Sequence, residues 1–168
     1  MEYNIESRKN CLISKKAKIG KGTLIRMGSI IDDTCVIGEN CIIGPYAHIH
    51  SNSTIGNDCV IGNFVEIKNS TLGNNCKAKH LTYIGDCKCG NNVNFGCGVV
   101  IANYNGKSKN NTEIKDNVFV GCNSNLIAPL IVGNNSFIAA GRCVNDNVLD
   151  NEFVIERSKE IHKNRLLK

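Results

Sequence analysis

Isoleucine recurs at a fixed step. It stands at positions 13, 19, 25, 31, 37, 43, 49, 55, 61 and 67, ten times at a spacing of six. Four residues after each of the first nine comes Ala17, Thr23, Ser29, Cys35, Cys41, Ala47, Ser53, Cys59 or Val65, all small or β-branched. Glycine often follows the isoleucine (Gly20, Gly38, Gly44, Gly56, Gly62), and Asn, Asp or Glu then fills the turn. A period of six suits neither an amphipathic helix nor a plain alternating strand. It suits a chain that makes a short strand, turns a corner and repeats, burying one aliphatic and one small side chain each time. Three such hexads close one triangular coil, so that Ile13, Ile31, Ile49 and Ile67 stack on one face. Coils then lie about 4.8 Å apart, the spacing of neighbouring strands. The expected fold is an all-β parallel β-helix solenoid.

The register slips twice. Leu72 follows Ile67 by five residues, and Cys89 follows Ile84 by five, with Ala78, Phe95 and Ile101 in step between and after them. A polar stretch, 102–113, then interrupts the pattern, which resumes at Ile114, Val120, Leu126, Val132, Ile138 and Val144. Such a stretch in a tight solenoid reads as an excursion loop, either functional or disordered. The expected organisation is an N-terminal cap over 1–12, the β-helix over 13–156 with excursion loop 102–113, and a basic C-terminal tail over 157–168, either a short helix or mobile.

Composition narrows the function classes. At 168 residues the chain suits one domain. It is 42% hydrophobic but 5% aromatic, with 25 Asn and 21 Ile, so its apolar content is aliphatic and its polar content turn-forming. No apolar run approaches the roughly 18 residues of a membrane span, and Met1–Asn10 is too polar for a secretory leader. Ten cysteines without such a leader point to free thiols in a reducing, cytoplasmic setting. A net charge of +5 suits an anionic small molecule and is too scattered for nucleic acid.

The segments GNFVEIK (62–68), KAKHLTYIGD (77–86), NVNFG (92–96), NYNGKSK (103–109), VFVGCNSNLIAP (118–129) and IAAG (138–141) resemble one family. It is the acetyltransferase domain of the bifunctional N-acetylglucosamine-1-phosphate uridyltransferases, within the hexapeptide-repeat acyltransferases. The resemblance runs from about Ile37 to Arg157. It implies a left-handed coil, although parallel crossovers are ordinarily right-handed. It implies transfer of an acetyl group from acetyl-CoA to the amine of glucosamine-1-phosphate, for UDP-N-acetylglucosamine precursor synthesis, by a homotrimer with sites between subunits. No metal is required for that transfer. The uridyltransferase half of the family has no counterpart in these residues.

The resemblance also assigns residues. His80 matches the general base, a role suited to a group that titrates near working pH. Glu66 matches an acid that orients or polarises His80 or the amine. The backbone N–H of Cys97 matches the oxyanion donor. Lys68, Tyr83, Asn94, Asn103 and Lys109 match sugar- and phosphate-binding positions. Cys97, Cys122, Ala140 and Arg157 match the cofactor side, the guanidinium being apt for phosphate. Three departures bear on the acceptor. His50 stands where the family has a phosphate-clamping Arg, Lys79 replaces a Gly, and Asn105 replaces an Asp. A nucleotide-linked amino sugar, or a non-catalytic trimeric scaffold, are the alternatives. The γ-type carbonic anhydrases share the fold, but the four histidines (48, 50, 80, 162) include no pair at that family's five-residue spacing. Cys87 and Cys89 read as structural, not as zinc ligands.

Overall fold

A computed structural model describes residues 4–5 and 10–156. Among them there is no α-helix, and no helix long and apolar enough to cross a membrane. Twenty-four short strands stack into three parallel sheets, the three walls of a prism. The first sheet holds β1 (Asn4–Ile5), β4 (Leu24–Ile25), β7 (Ile42–Ile43), β10 (Val60–Asn63), β13 (Lys77–His80), β16 (Asn94–Phe95), β19 (Phe119–Val120), β22 (Phe137–Ile138) and β24 (Phe153–Val154). The second holds β2 (Leu12–Ile13), β5 (Ile30–Ile31), β8 (His48–Ile49), β11 (Glu66–Lys68), β14 (Tyr83–Gly85), β17 (Val100–Ala102), β20 (Asn125–Ile127) and β23 (Cys143–Val144). The third holds β3 (Lys18–Ile19), β6 (Val36–Ile37), β9 (Thr54–Ile55), β12 (Thr71–Leu72), β15 (Cys87–Cys89), β18 (Thr112–Ile114) and β21 (Leu130–Val132). This is the left-handed β-helix of the hexapeptide-repeat class.

The register follows the sequence period. Ile13 pairs with Ile31, Ile31 with Ile49 and Ile49 with Ile67, each three hexads on. Ile67 pairs with Ile84 and Leu72 with Cys89, each one residue short of a full coil, as the two shortened steps require. Cys89 pairs with Ile114 across the excursion. The repeated isoleucines from Ile25 to Ile67 are at most 2% exposed. Burying each contributes roughly 1.5–3 kcal/mol relative to leaving it in water.

The small inward position does more than save space. Thr23 Oγ1 donates to Gly38 O at 2.8 Å. The thiols of Cys41, Cys59 and Cys76 donate to Gly56 O, Gly73 O and Gly90 O at 3.1–3.2 Å. A weak S–H donor thus meets a corner carbonyl. Burial pushes the Cys35 thiol up to about 11 and the Cys87 thiol up to about 12, so both stay protonated and inert.

Three kinds of corner join the walls. The first turns from the first sheet into the second, the second from the second into the third, and the third back to the first. In six-residue steps the third residue after the buried aliphatic has positive φ: Asn40, Asp58, Asn75, Asn92, Asn117 and Asn135 along the third corner. Asn and Asp tolerate this region best among non-glycine residues. The shortened steps move it one place earlier, to Asn69 and Asp86.

Asparagine also ties the third corner together. The N–H groups of Glu39, Asn57, Asn74 and Asn91 donate to the side-chain oxygens of Asn57, Asn74, Asn91 and Asp116, one coil further on, at 2.6–2.8 Å. A second column runs beside it, Asn75 to Asn92 to Asn117 to Asn135 to Asn151, at 2.9–3.1 Å.

Two expected boundaries change. Ala102, Thr112 and Glu113 belong to β17 and β18, so the excursion is 103–111; its arms meet in an antiparallel bridge between Tyr104 and Lys109. The expected cap contains β1, which pairs with β4 and so extends the first sheet. The tail 157–168, with Arg157, lies outside the described residues, as do 1–3 and 6–9.

Candidate active site

His80, Cys97, Cys122 and Ala140 hold one structural position. Each lies two residues after a buried wall residue (Ala78, Phe95, Val120, Ile138), so the four form a row up the first corner with Asn63 below His80. His80 ends β13 opposite Asn63 in β10. Its Nδ1 lies 2.9 Å from Asn63 Oδ1. An amide oxygen only accepts, so the imidazole proton sits on Nδ1 and donates to Asn63. Nε2, the other ring nitrogen, has no hydrogen bond among the described residues, and the side chain is exposed.

The corner amides above His80 are open. Among the described residues no hydrogen bond involves the N–H of Cys97, Cys122 or Ala140. The Cys97 N–H is one coil, about 4.8 Å, above His80. Gly96 lets the coils close up there, because a Cβ on it would stand 2.5 Å from the Cys122 nitrogen.

The outward face of the second sheet carries a polar group: His48 and His50 around β8, Glu66 and Lys68 in β11, Tyr83 in β14. Glu66 Oε1 lies 2.8 Å from His50 Nε2. Glu66 therefore engages His50, and the ring partner of His80 is Asn63; the expected orientation of His80 by Glu66 is not what the structure holds. His50 Nδ1 and His48 Nε2 both approach Asp32 Oδ2, at 3.5 and 3.2 Å, with their rings stacked at 3.7 Å. Tyr83 folds over Gly85, where a Cβ would meet Tyr83 Oη at 2.6 Å and Asn103 Nδ2 at 2.8 Å.

Asn103 is buried and donates to Asp86 Oδ2 at 2.5 Å, while Asn69 donates to Asp86 Oδ1 at 2.6 Å. Asn103 thus anchors the excursion to the second corner. Asn105 Oδ1 accepts from the N–H of Lys107 and Ser108, both at 2.9 Å, closing the turn as an Asp would. Asn94 sits on the first sheet, paired with Phe119, and Lys109 is exposed on the excursion. No described hydrogen bond or ion pair joins either to the second-sheet group. Within one chain the expected site residues therefore occupy two adjoining surfaces plus the excursion.

Sequence reasoning missed Asn63, Asp86, Asp32 and His48. Coil arithmetic holds the signal for three of them. Asn63 stands one shortened coil before His80, Asp86 one shortened coil after Asn69, and Asp32 one full coil before His50. A cleft of about 670 Å³ lies against the third sheet among Asn69, Asp86, Lys88, Glu113 and Ile131, and none of the expected site residues lines it.

Residues 16–45 and 34–69 match the family described as bacterial transferase hexapeptide (six repeats). The chain is 41% identical over 119 residues to the bifunctional protein GlmU of Caldicellulosiruptor saccharolyticus, and 46% identical over 119 residues to that of Listeria monocytogenes serotype 4a. Each match covers 71% of this chain and 26% of the relative, so the chain spans about a quarter of the length of the curated relatives it matches. Among solved structures, LpxA of Bacteroides fragilis, a UDP-N-acetylglucosamine acyltransferase, aligns with a TM-score of 0.70 at 20% identity, over 83% of this chain and 68% of its own. LpxA of Acinetobacter baumannii aligns with a TM-score of 0.63 at 16% identity, over 85% and 67%. These two likenesses establish the fold.

Proposed function

For a chain built on bacterial transferase hexapeptide repeats and similar to GlmU over 71% of its length, we propose acetyl-CoA-dependent N-acetylation of an amino-sugar phosphate, with glucosamine-1-phosphate the first acceptor to test. One observation carries the reading. His80 has its Nδ1 proton committed to Asn63, its Nε2 lone pair free, and an unpaired Cys97 N–H one coil above. Acetyl-CoA supplies the activated acyl group. His80 Nε2 takes the proton from the attacking amine as the C–N bond forms, and the Cys97 N–H donates to the oxyanion that develops on the acyl oxygen. Collapse of that intermediate breaks the C–S bond, the departing CoA thiolate taking the proton from His80. The open N–H groups and small side chains at Cys122 and Ala140 fit a groove for the extended cofactor, whose phosphates the resemblance assigns to Arg157. Lys68 and Lys109 supply charge to the sugar phosphate, and Tyr83, Asn94 and Asn103 supply neutral donors and acceptors.

The active form in this reading is a homotrimer in the cytoplasm. The division of binding residues between two surfaces supports it, since a neighbouring chain can bring the second surface to the first. Tyr46, Phe64 and Leu81 also support it. They are exposed apolar residues along the first corner, each held at positive φ at a cost of roughly 1–2 kcal/mol.

A second acceptor class, a nucleotide-linked amino sugar, is favoured by one observation. His50, in the place of a clamping Arg, is held between Asp32 and Glu66, and is a poorer phosphate ligand there. Thiol release from acetyl-CoA, measured with glucosamine-1-phosphate and with UDP-linked amino sugars, tests both. Turnover with the first supports the main reading, and turnover only with the second transfers it to that acceptor. No turnover and no acetyl-CoA binding would leave the scaffold.

A further inference from the structure

We propose that Asp32, His48 and His50 form a binding site for a zinc-class divalent ion, with Glu66 as its outer-sphere acceptor. Each of the three residues offers one donor atom, and these atoms lie within 4.8 Å of one another; Asp32 Oδ2 faces both His48 Nε2 and His50 Nδ1. The oxygen is 3.2 Å from the first nitrogen and 3.5 Å from the second. Bonds of about 2.0–2.1 Å at tetrahedral angles put donor atoms roughly 3.3 Å apart, so the carboxylate oxygen already stands at that separation from each imidazole, and joint coordination requires the stacked rings to turn toward the ion. Two imidazoles and one carboxylate are a borderline donor set, suited to zinc, cobalt or nickel more than to magnesium or calcium.

The proton inventory points the same way. A neutral imidazole carries one N–H. In the neutral ring, the tautomer that donates its Nε2 proton to Glu66 at 2.8 Å is the one that frees His50 Nδ1 to ligate beside the Asp32 carboxylate. A carboxylate behind a ligating histidine is the usual outer-sphere partner, and it fixes the tautomer that coordination needs. The coil arithmetic builds the site: Asp32 and His50 stand one coil apart in one column, and His48 precedes His50 by two, on the same outward face of the second sheet. Three protein ligands leave a fourth position for water or an anionic oxygen.

The proposal stands apart from acyl transfer, because its readout is metal binding. Cobalt(II) titrated into the full chain should bind once per chain and give the visible absorption of a tetrahedral nitrogen–oxygen site. Zinc should displace it. His48→Gln and Asp32→Asn should each weaken binding by tenfold or more, and Glu66→Gln by about 10–100-fold. All three side chains lie outside the core, and circular dichroism melts verify that the variants fold. Absence of saturable binding would overturn the proposal. So would binding indifferent to His48→Gln and Asp32→Asn, or a thiolate-to-cobalt charge-transfer band, which would place the ion on exposed Cys122 or Cys143.

Discussion

The first and third corners of the prism have the same backbone turn and opposite uses. Both place a residue at positive φ in register up the coils. At the third corner that residue is Asn or Asp in six coils from Asn40 to Asn135, and the preceding N–H groups are each satisfied by a side chain of the next coil. At the first corner the same row carries Tyr46, Phe64 and Leu81, and the N–H groups of Cys97, Cys122 and Ala140 meet nothing among the described residues. A corner N–H is tied to the next coil on one edge of the solenoid and is without a partner among the described residues on another. The third corner holds the coils together, and the first offers a line of donors beside His80.

Four changes sharpen or break that contrast. The largest effect is expected at His80. His80→Ala should slow acetyl transfer by about 10²–10⁴-fold, read by thiol release, with little change in melting temperature. Survival of activity within tenfold would remove His80 as the base. Next, Ala140→Asn grafts a third-corner acceptor onto the first corner, one coil above the Cys122 N–H. It should weaken acetyl-CoA binding about tenfold or more by calorimetry while leaving the fold intact, since truncating or occupying one good hydrogen bond to a ligand costs about 1–2 kcal/mol. In the opposite direction, Asn91→Ala cuts the third-corner ladder between Asn74 and Asp116. It should cost about 1 kcal/mol and lower the melting temperature by about 2–4 °C, with kcat unchanged. The smallest effect is expected for Cys97→Ala. The backbone N–H survives, so kcat should stay within about threefold; a loss as large as that of His80→Ala would assign the thiol, not the amide, to the chemistry.

The fold was legible because a buried column tolerates little else. Ile13 to Ile67 announce the walls, and even the two shortened steps at Leu72 and Cys89 emerge as pairings one residue short of a full coil. Handedness was not legible in the period, which is the same for a coil of either hand. Asn63 and Asp32 escaped notice because their meaning lies one coil away and is polar, where no hydrophobic step marks the register. Glu66 illustrates the same limit. Its partner His50 sits diagonally across β8 and β11, a contact that only the stacked coils reveal. Asn103 and Asn105 carry roles in holding the excursion that their type alone shares with every other turn asparagine.

The bond from the Asn91 N–H to Asp116 spans the whole excursion in sequence and a single coil in space. The column is therefore continuous where the sequence is not, and the excursion hangs from it like a side loop on a closed zipper. Lengthening a loop costs only (3/2)RT ln n, about 0.6 kcal/mol per doubling. The segment that carries Lys109 can thus be shortened or extended with little penalty to the prism, provided that the Asn103–Asp86 bond at its base is kept.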